Sequence, residues 1–156
     1  MHKKSAGILL YHFQNNLPGI LLVHPGGPFW AKKDLGAWSI PKGEFEEDEN
    51  PLDAAKREVE EELGIKVSGE FIELTPVKQK SGKIIYAWAL LQNIDLTQIT
   101  SNTFELEWPP KSGKKKIFPE VDKTAWFGME EAKKKINPAQ EGLIEELERM
   151  VFDNFL

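Results

Sequence analysis

The sequence predicts a mixed α+β fold in which strands dominate, with one helix inserted early and another at the end. Three observations carry this. Short apolar runs separated by Gly, Pro and Asn recur through most of the chain. Residues 50–63 carry an apolar stripe of helical period between good capping residues. Leu143, Leu147, Met150 and Val151 fall on one face of a terminal amphipathic stretch. With 156 residues the chain has about one domain's length, so 1–156 is read as a single domain, able to bury a core without staples.

Taken in order, Ser5–Phe13 reads as a strand, and Asn15-Asn16 with Pro18-Gly19 as the turn after it. Ile20–His24 is a second apolar strand and Pro25-Gly26-Gly27-Pro28 a loop. Ala37–Ile40 is a short strand stopped by Pro41. Asn50 is a good N-cap, Pro51 suits the first helical position, and Gly64 suits a left-handed stop, with Ile65 packing back on Val59. Glu70–Val77 and Lys83–Leu91 form a hairpin around Ser81-Gly82. Phe104–Trp108 alternates with period two, Ala125–Phe127 is a short strand, and Met129–Lys135 and Ala139–Phe152 are helices.

Composition excludes several chemistries. There is no cysteine, so disulfides, zinc–thiolate sites and cysteine nucleophiles are ruled out. His2, His12 and His24 are scattered without zinc-ligand spacing and read as structural or exposed. The longest apolar runs, Gly19–Val23 and Tyr86–Leu91, are too short to span a bilayer. The opening residues MHKKSAGILLYHFQNN lack the apolar length and cleavage site of a signal peptide, so a cytoplasmic location is expected. A formal charge of −5 argues against general nucleic-acid binding. That charge is unevenly placed: residues 43–64 hold ten acids and two bases, a net −8, and the remaining 15 acids and 18 bases net +3.

Within the helix, Leu52, Ala55, Val59 and Leu63 share the core-facing stripe. Glu58, Glu61 and Glu62, spaced i, i+3, i+4, cluster roughly 110° round from it, while Asp53 and Glu60 point elsewhere. Three carboxylates beside a buried stripe are costly unless a cation neutralises them, and hard divalent cations take oxygen ligands in this way. An acidic, merely solvated helix face is the competing explanation. Glu49, just before the helix, and Arg57, two turns into it, can pair and lock the preceding loop onto the helix.

Together these residues read Gly43, five residues, Glu49, seven residues, then Arg57-Glu58-Val59-Glu60-Glu61-Glu62-Leu63-Gly64-Ile65. This resembles the Nudix box, with all nine defined positions filled, a match that average residue usage produces on the order of once in 10⁹ windows. The resemblance implies a mixed sheet sandwiched between helices, with the box as loop–helix–loop. It implies that Glu58, Glu61 and Glu62 are metal-binding glutamates, that the Gly43 carbonyl can join the metal, and that Arg57 and Glu49 are the ion pair orienting the box. The implied cofactor is Mg²⁺, with Mn²⁺ as the alternative. Ser5–Leu10 is similar to the family's opening strand, and Trp38-Ser39-Ile40-Pro41-Lys42-Gly43 to the strand entering the box. Pro41-Lys42-Gly43, with Glu120 six residues before Trp126, is similar to the diadenosine tetraphosphate hydrolases, although Glu44 stands where those enzymes usually carry His.

The expected activity is hydrolysis of a phosphoanhydride bond in a nucleoside diphosphate linked to another group, by attack on phosphorus without a covalent intermediate. The partner is a small nucleotide or dinucleotide. Anionic oxygens repel a nucleophile; cations screen that charge and activate water, and a carboxylate accepts its proton. Glu120 is expected to complete the metal site from outside the box, with Glu105 and Glu107 as competitors on an alternating strand. Lys42, Lys32-Lys33 and the Lys111–Lys116 loop can meet phosphates, the last also reading as a soluble hairpin tip. Trp30, Trp38, Trp88, Tyr86 and Phe118 are candidates to stack on a base, against a simple role in core packing. The competing functions are a housekeeping hydrolase of oxidised nucleoside triphosphates and a catalytically silent nucleotide-binding module.

Overall fold

The computed structural model describes residues 3–152; residues 1–2, which include His2, and residues 153–156 lie outside it. Strand β1 (Lys4–Gln14) and β2 (Leu17–Pro25) form a hairpin whose two-residue turn, Asn15-Asn16, takes positive φ at both positions (54° and 65°). Turns of that kind match the twist of the flanking strands, and asparagine tolerates them. Pro18 and Gly19, expected in the turn, already belong to β2, which has the turn's two residues as its boundary.

After four paired positions β1 and β2 part, and the segment entering the box fills the opening between them. Ser39 bridges to Val23 of β2, Ile8 N–H donates to the Pro41 carbonyl, and β3 (Lys42–Glu44) pairs antiparallel with Ser5–Gly7. Here the expected strand is displaced. Ala37–Ile40 makes only isolated bridges, and regular pairing begins after Pro41, because the proline keeps a carbonyl for β1 even though it lacks an N–H. Gly7 permits this approach: a Cβ there would lie 2.5 Å from the Pro41 carbonyl oxygen and 2.6 Å from the Lys42 Cβ.

Helix α1 (Pro51–Leu63) follows, then β4 (Phe71–Glu73), β5 (Val77–Lys78) and β6 (Ile84–Leu91). The expected hairpin is present but interrupted: β4 and β5 both pair with β6, with a register shift across Leu74–Pro76. A separate ribbon joins β7 (Thr103–Glu107) to β8 (Lys115–Pro119). The second strand takes in Lys115 and Lys116 of what reads as a lysine-rich loop, and residues 108–114 turn the ribbon. Strand β9 (Val121–Gly128) outgrows the expected Ala125–Phe127 and pairs along β2. Helix α2 (Met129–Lys135), a turn of 3₁₀ helix at Pro138–Gln140, and α3 (Glu141–Phe152) close the chain.

The main sheet runs β4-β6-β1-β2-β9, with β1 and β6 parallel and the other pairs antiparallel. Alternation along β1 divides the core. Leu9 and Tyr11 pack with Trp38, Met129, Leu143 and Leu147 of the α2/α3 side. Ala6, Ile8 and Leu10 pack with Ala55, Val59 and Leu63 of α1. The mixed sheet is therefore held between α1 and the α2/α3 pair, the architecture expected from the sequence. No described helix is long and apolar enough to cross a membrane.

Candidate active site

The local sequence sets α1 in place. Asn50 Oδ1 accepts from the Asp53 N–H at 3.1 Å, and Gly64, at φ 68°, donates its N–H to the Glu60 carbonyl at 2.7 Å. Glu60 turns away from the carboxylate cluster and accepts from the Val67 N–H at 3.3 Å. With Ala54, Ala55, Val59 and Leu63 buried, Glu58, Glu61 and Glu62 fall along the edge between the sheet and solvent.

Arg57 ties this edge to the loop before it. Its Nη2 donates to both oxygens of Glu49, at 2.9 and 3.1 Å, and its Nη1 donates to Glu58 Oε1 at 2.8 Å and lies 3.6 Å from Glu61 Oε2. Glu49 also accepts from the Glu46 N–H at 3.2 Å. That backbone bond first, and Arg57 second, hold its carboxyl below the ordinary range. Glu58 lies against Gly43 so closely that a Cβ on residue 43 would fall 2.0 Å from Glu58 Oε2. Burial pushes the Glu58 carboxyl up, opposed by Arg57 and assisted by Glu61 and Glu120.

Glu62 turns into a small cavity of about 120 Å³ that it shares with Lys42, Glu120, Ser39 and Pro25. Burial pushes its carboxyl up to about 8; Lys42 opposes the shift and Glu120 adds to it. Burial likewise pushes the Lys42 ammonium down. Glu120 comes from outside the box, between β8 and β9. Its N–H donates to the Asn102 carbonyl at 2.7 Å, and its own carbonyl accepts from Gly26 at 2.9 Å. Glu105 and Glu107 are exposed on the ribbon and do not line this cavity. A larger open cavity of about 760 Å³ lies on the other side of the box, between Lys3, Lys4, the 44–49 loop, Arg57 and Glu58.

The NUDIX domain model matches residues 1–147. The chain belongs to the Nudix family. It is 29% identical over 127 residues to the m7GpppN-mRNA hydrolase of Saccharomyces cerevisiae, a match covering 78% of this chain and 10% of that protein. It is 41% identical over 49 residues to the RNA pyrophosphohydrolase of Hahella chejuensis, covering 30% of each. The matches thus span less than a third of either curated relative's length. In fold it is similar to the Ap4A hydrolase of C. elegans, with TM-score 0.66 and 19% identity over 97% of this chain and 98% of that one. Enzymes of the Nudix family generally use divalent metals.

The donor set of this Nudix domain fits such a metal. Glu58, Glu61, Glu62, Glu120 and the Gly43 carbonyl offer only hard oxygen ligands, and Glu58 and Glu62 are both raised by burial and by Glu120. A divalent cation relieves that repulsion. Among the described residues, no three acidic or imidazole groups stand converged on one point, and Arg57 sits between Glu58 and Glu61.

The proposed base-stacking residues separate by burial. Trp38 is a correction: only 6% exposed, it packs in the α2/α3 core against Phe127 and His24, and its Nε1–H donates to Asp34 Oδ1 at 2.8 Å, so its faces are taken. Trp88 is buried on the α1 side. Tyr86 is half-buried with its edge against Phe45, whose ring borders the larger cavity. Phe118 is half-buried against Phe104 within the ribbon. Trp30 remains exposed. His12 rests on Trp126, and His24 is buried. The two structural glycines Gly7 and Gly26 were not singled out from sequence; their signal is steric and appears only once the partner strand is in place.

Proposed function

We propose that this Nudix hydrolase is a Mg²⁺-dependent pyrophosphohydrolase acting on a dinucleoside polyphosphate. The observation that carries this reading is the meeting of Glu120 with Glu62 and Lys42 in one cavity beside the box. Glu120 stands six residues before Trp126, as in the diadenosine-type pattern, and the fold of the C. elegans Ap4A hydrolase covers nearly the whole chain. A bound divalent cation supplies positive charge at the reacting phosphate and lowers the pKa of a coordinated water. Glu58, Glu61, Glu62 and the Gly43 carbonyl would hold it, and Arg57, gripped by Glu49, keeps Glu58 aimed. Lys42 offsets charge on the phosphate oxygens. Glu120, across the cavity, takes the proton of the attacking water, whose oxygen bonds to phosphorus as the bridging oxygen leaves.

A second reading, hydrolysis at the 5′ phosphates of RNA, is favoured by the likeness to the RNA pyrophosphohydrolase. A product analysis separates the two. The proposed enzyme splits diadenosine tetraphosphate asymmetrically into AMP and ATP, at a rate that chelation of the metal abolishes. Glu58→Gln lowers turnover by orders of magnitude. Glu120→Gln lowers kcat far more than it raises KM, and by more than Glu105→Gln or Glu107→Gln. Preference for single nucleoside triphosphates or for 5′-triphosphate RNA overturns the substrate assignment, and near-normal turnover by Glu58→Gln overturns the site.

A further inference from the structure

The wall of the small cavity continues into a surface that the proposed chemistry does not use. Gly26, next to Pro25 in that wall, lies flush against the backbone that presents Glu120: a Cβ there would sit 1.9 Å from the Pro119 carbonyl oxygen. From this point the loop 26–37 runs out along the β7–β8 ribbon. Gly27 faces the Phe104 ring, where a Cβ would meet Cζ at 2.9 Å, and Phe29 packs edge-on to Trp108, with centroids 5.3 Å apart. Trp108 is at the outer end of the ribbon, just past the Glu107–Lys115 pair, and Pro119 at its base pairs with Thr103. The four residue steps between those pairs span roughly 14 Å. Trp30 follows Phe29, so a ligand touching both Glu120 and Trp30 has to be extended.

The loop is pinned from beneath. Buried His24 places Nδ1 2.7 Å from Asp122 Oδ1 and Nε2 2.7 Å from the Lys33 carbonyl. Asp34 accepts from Trp38 Nε1 and pairs with Lys135, and the Gly36 N–H donates to the Lys134 carbonyl. Yet this anchored loop leaves Phe29 58% and Trp30 38% exposed. Holding aromatic rings in water on a fixed loop beside a catalytic cavity is the arrangement of a binding surface. Its charge suits a polyanion: residues 26–37 and 103–119 together hold six lysines and three acids. Lys33 Nζ lies 4.9 Å from the Trp30 ring centroid, which places a cation and a stacking face within one nucleotide of each other.

We infer that loop 26–37 and the β7–β8 ribbon form a second arm of the cleft that seats the distal nucleoside of an extended polyphosphate substrate, its base on Trp30 and its adjoining phosphate on Lys33. This rests on the proposed phosphoanhydride hydrolysis but concerns binding, which is measured separately. The test is calorimetric titration of the intact protein, with Mg²⁺, using two non-hydrolysable ligands. One is a methylene-bridged diadenosine tetraphosphate; the other, imidodiphosphate, carries no nucleoside. Trp30→Ala weakens the dinucleotide analogue roughly 5- to 150-fold, the loss of one base–aromatic stack, and leaves imidodiphosphate within about twofold. Trp30→Phe restores most of the affinity. Lys33→Ala weakens the analogue and steepens nothing for imidodiphosphate. Unchanged affinity of Trp30→Ala for the analogue, an equal loss for both ligands, or failure of the wild type to bind the analogue overturns the arm. Intact discrimination without any turnover of diadenosine tetraphosphate refutes the proposed reaction and leaves the arm standing.

Discussion

Replacing Gly43 by alanine isolates the placement of one carboxylate. The new Cβ falls 2.0 Å from Glu58 Oε2, 2.4 Å from Cδ and 2.8 Å from Cγ, where ordinary contact begins at 3.4 Å. The Gly43 backbone is outside the left-handed region and β3 keeps its pairing with Ala6, so alanine is tolerated by the main chain and the load falls on the Glu58 side chain. That carboxylate has to move by at least about 1.4 Å, and misplacement on the order of 1 Å costs about 10²-fold in rate. The Arg57–Glu58 bond, at 2.8 Å but with the Arg57 side chain 41% exposed, is lost at a cost of about 0.2–1 kcal/mol. Restricting the unfolded chain returns about 0.4–1 kcal/mol. Stability is thus nearly unchanged, with a Tm shift under about 4 °C for a chain of this size, while kcat/KM falls at least about 100-fold. Thermal melts paired with metal-dependent product release on the best substrate read both quantities. A folded Gly43→Ala enzyme within about threefold of wild type refutes the claim that Glu58 has to occupy this position.

Two further outcomes follow from the same geometry. Arg57→Ala and Glu49→Ala each lower activity about 10- to 100-fold, the first by removing the Arg57 bond to Glu58 and the second by freeing Arg57 from the two Glu49 oxygens that hold it; the double variant is no worse than the weaker single, and additive losses in the double-mutant cycle refute the pairing. Asp34, which pins the 26–37 loop, has its carboxyl held below the ordinary range by Lys135 first and then Trp38. A depressed carboxylate stabilises the fold fully above its unfolded pKa of about 4 and loses that contribution as pH falls through the lower folded value. The Tm gap between wild type and Asp34→Asn is therefore constant from about pH 5 to 8 and closes below about pH 4; an equal gap at pH 3 and pH 7 refutes the assignment.

What the sequence alone determined is local. The α1 limits follow from Asn50, Pro51 and Gly64, because caps act within a turn of the helix they close. The clustering of Glu58, Glu61 and Glu62 beside the Ala55–Val59–Leu63 stripe follows from the helical period, and the Glu49–Arg57 pair from Glu49 standing just before the helix and Arg57 two turns into it. The presence of a strand at Ser5–Phe13 was equally legible, whereas its division between two cores belongs to the folded chain. Pairing between distant segments was not. Nothing near Pro41 announces that β1 and β2 part to admit the box strand, or that Lys115–Pro119 finds Thr103–Glu107 across a lysine-rich turn.

Tertiary structure also decided among residues of equal chemistry. Trp30 and Trp38 are both aromatic and eight positions apart, yet one is 38% exposed on a pinned loop and the other is 6% exposed with its N–H satisfied by Asp34. Glu105, Glu107 and Glu120 are all acids near one ribbon. Only Glu120 reaches Glu62 and Lys42, because Gly26, lacking a Cβ, lets the Pro119–Glu120 backbone close on the end of β2. A stripe or a cap is encoded by neighbours in the chain; which side chain faces the cleft depends on contacts between segments nearly a hundred residues apart, where steric fit rather than residue type makes the choice.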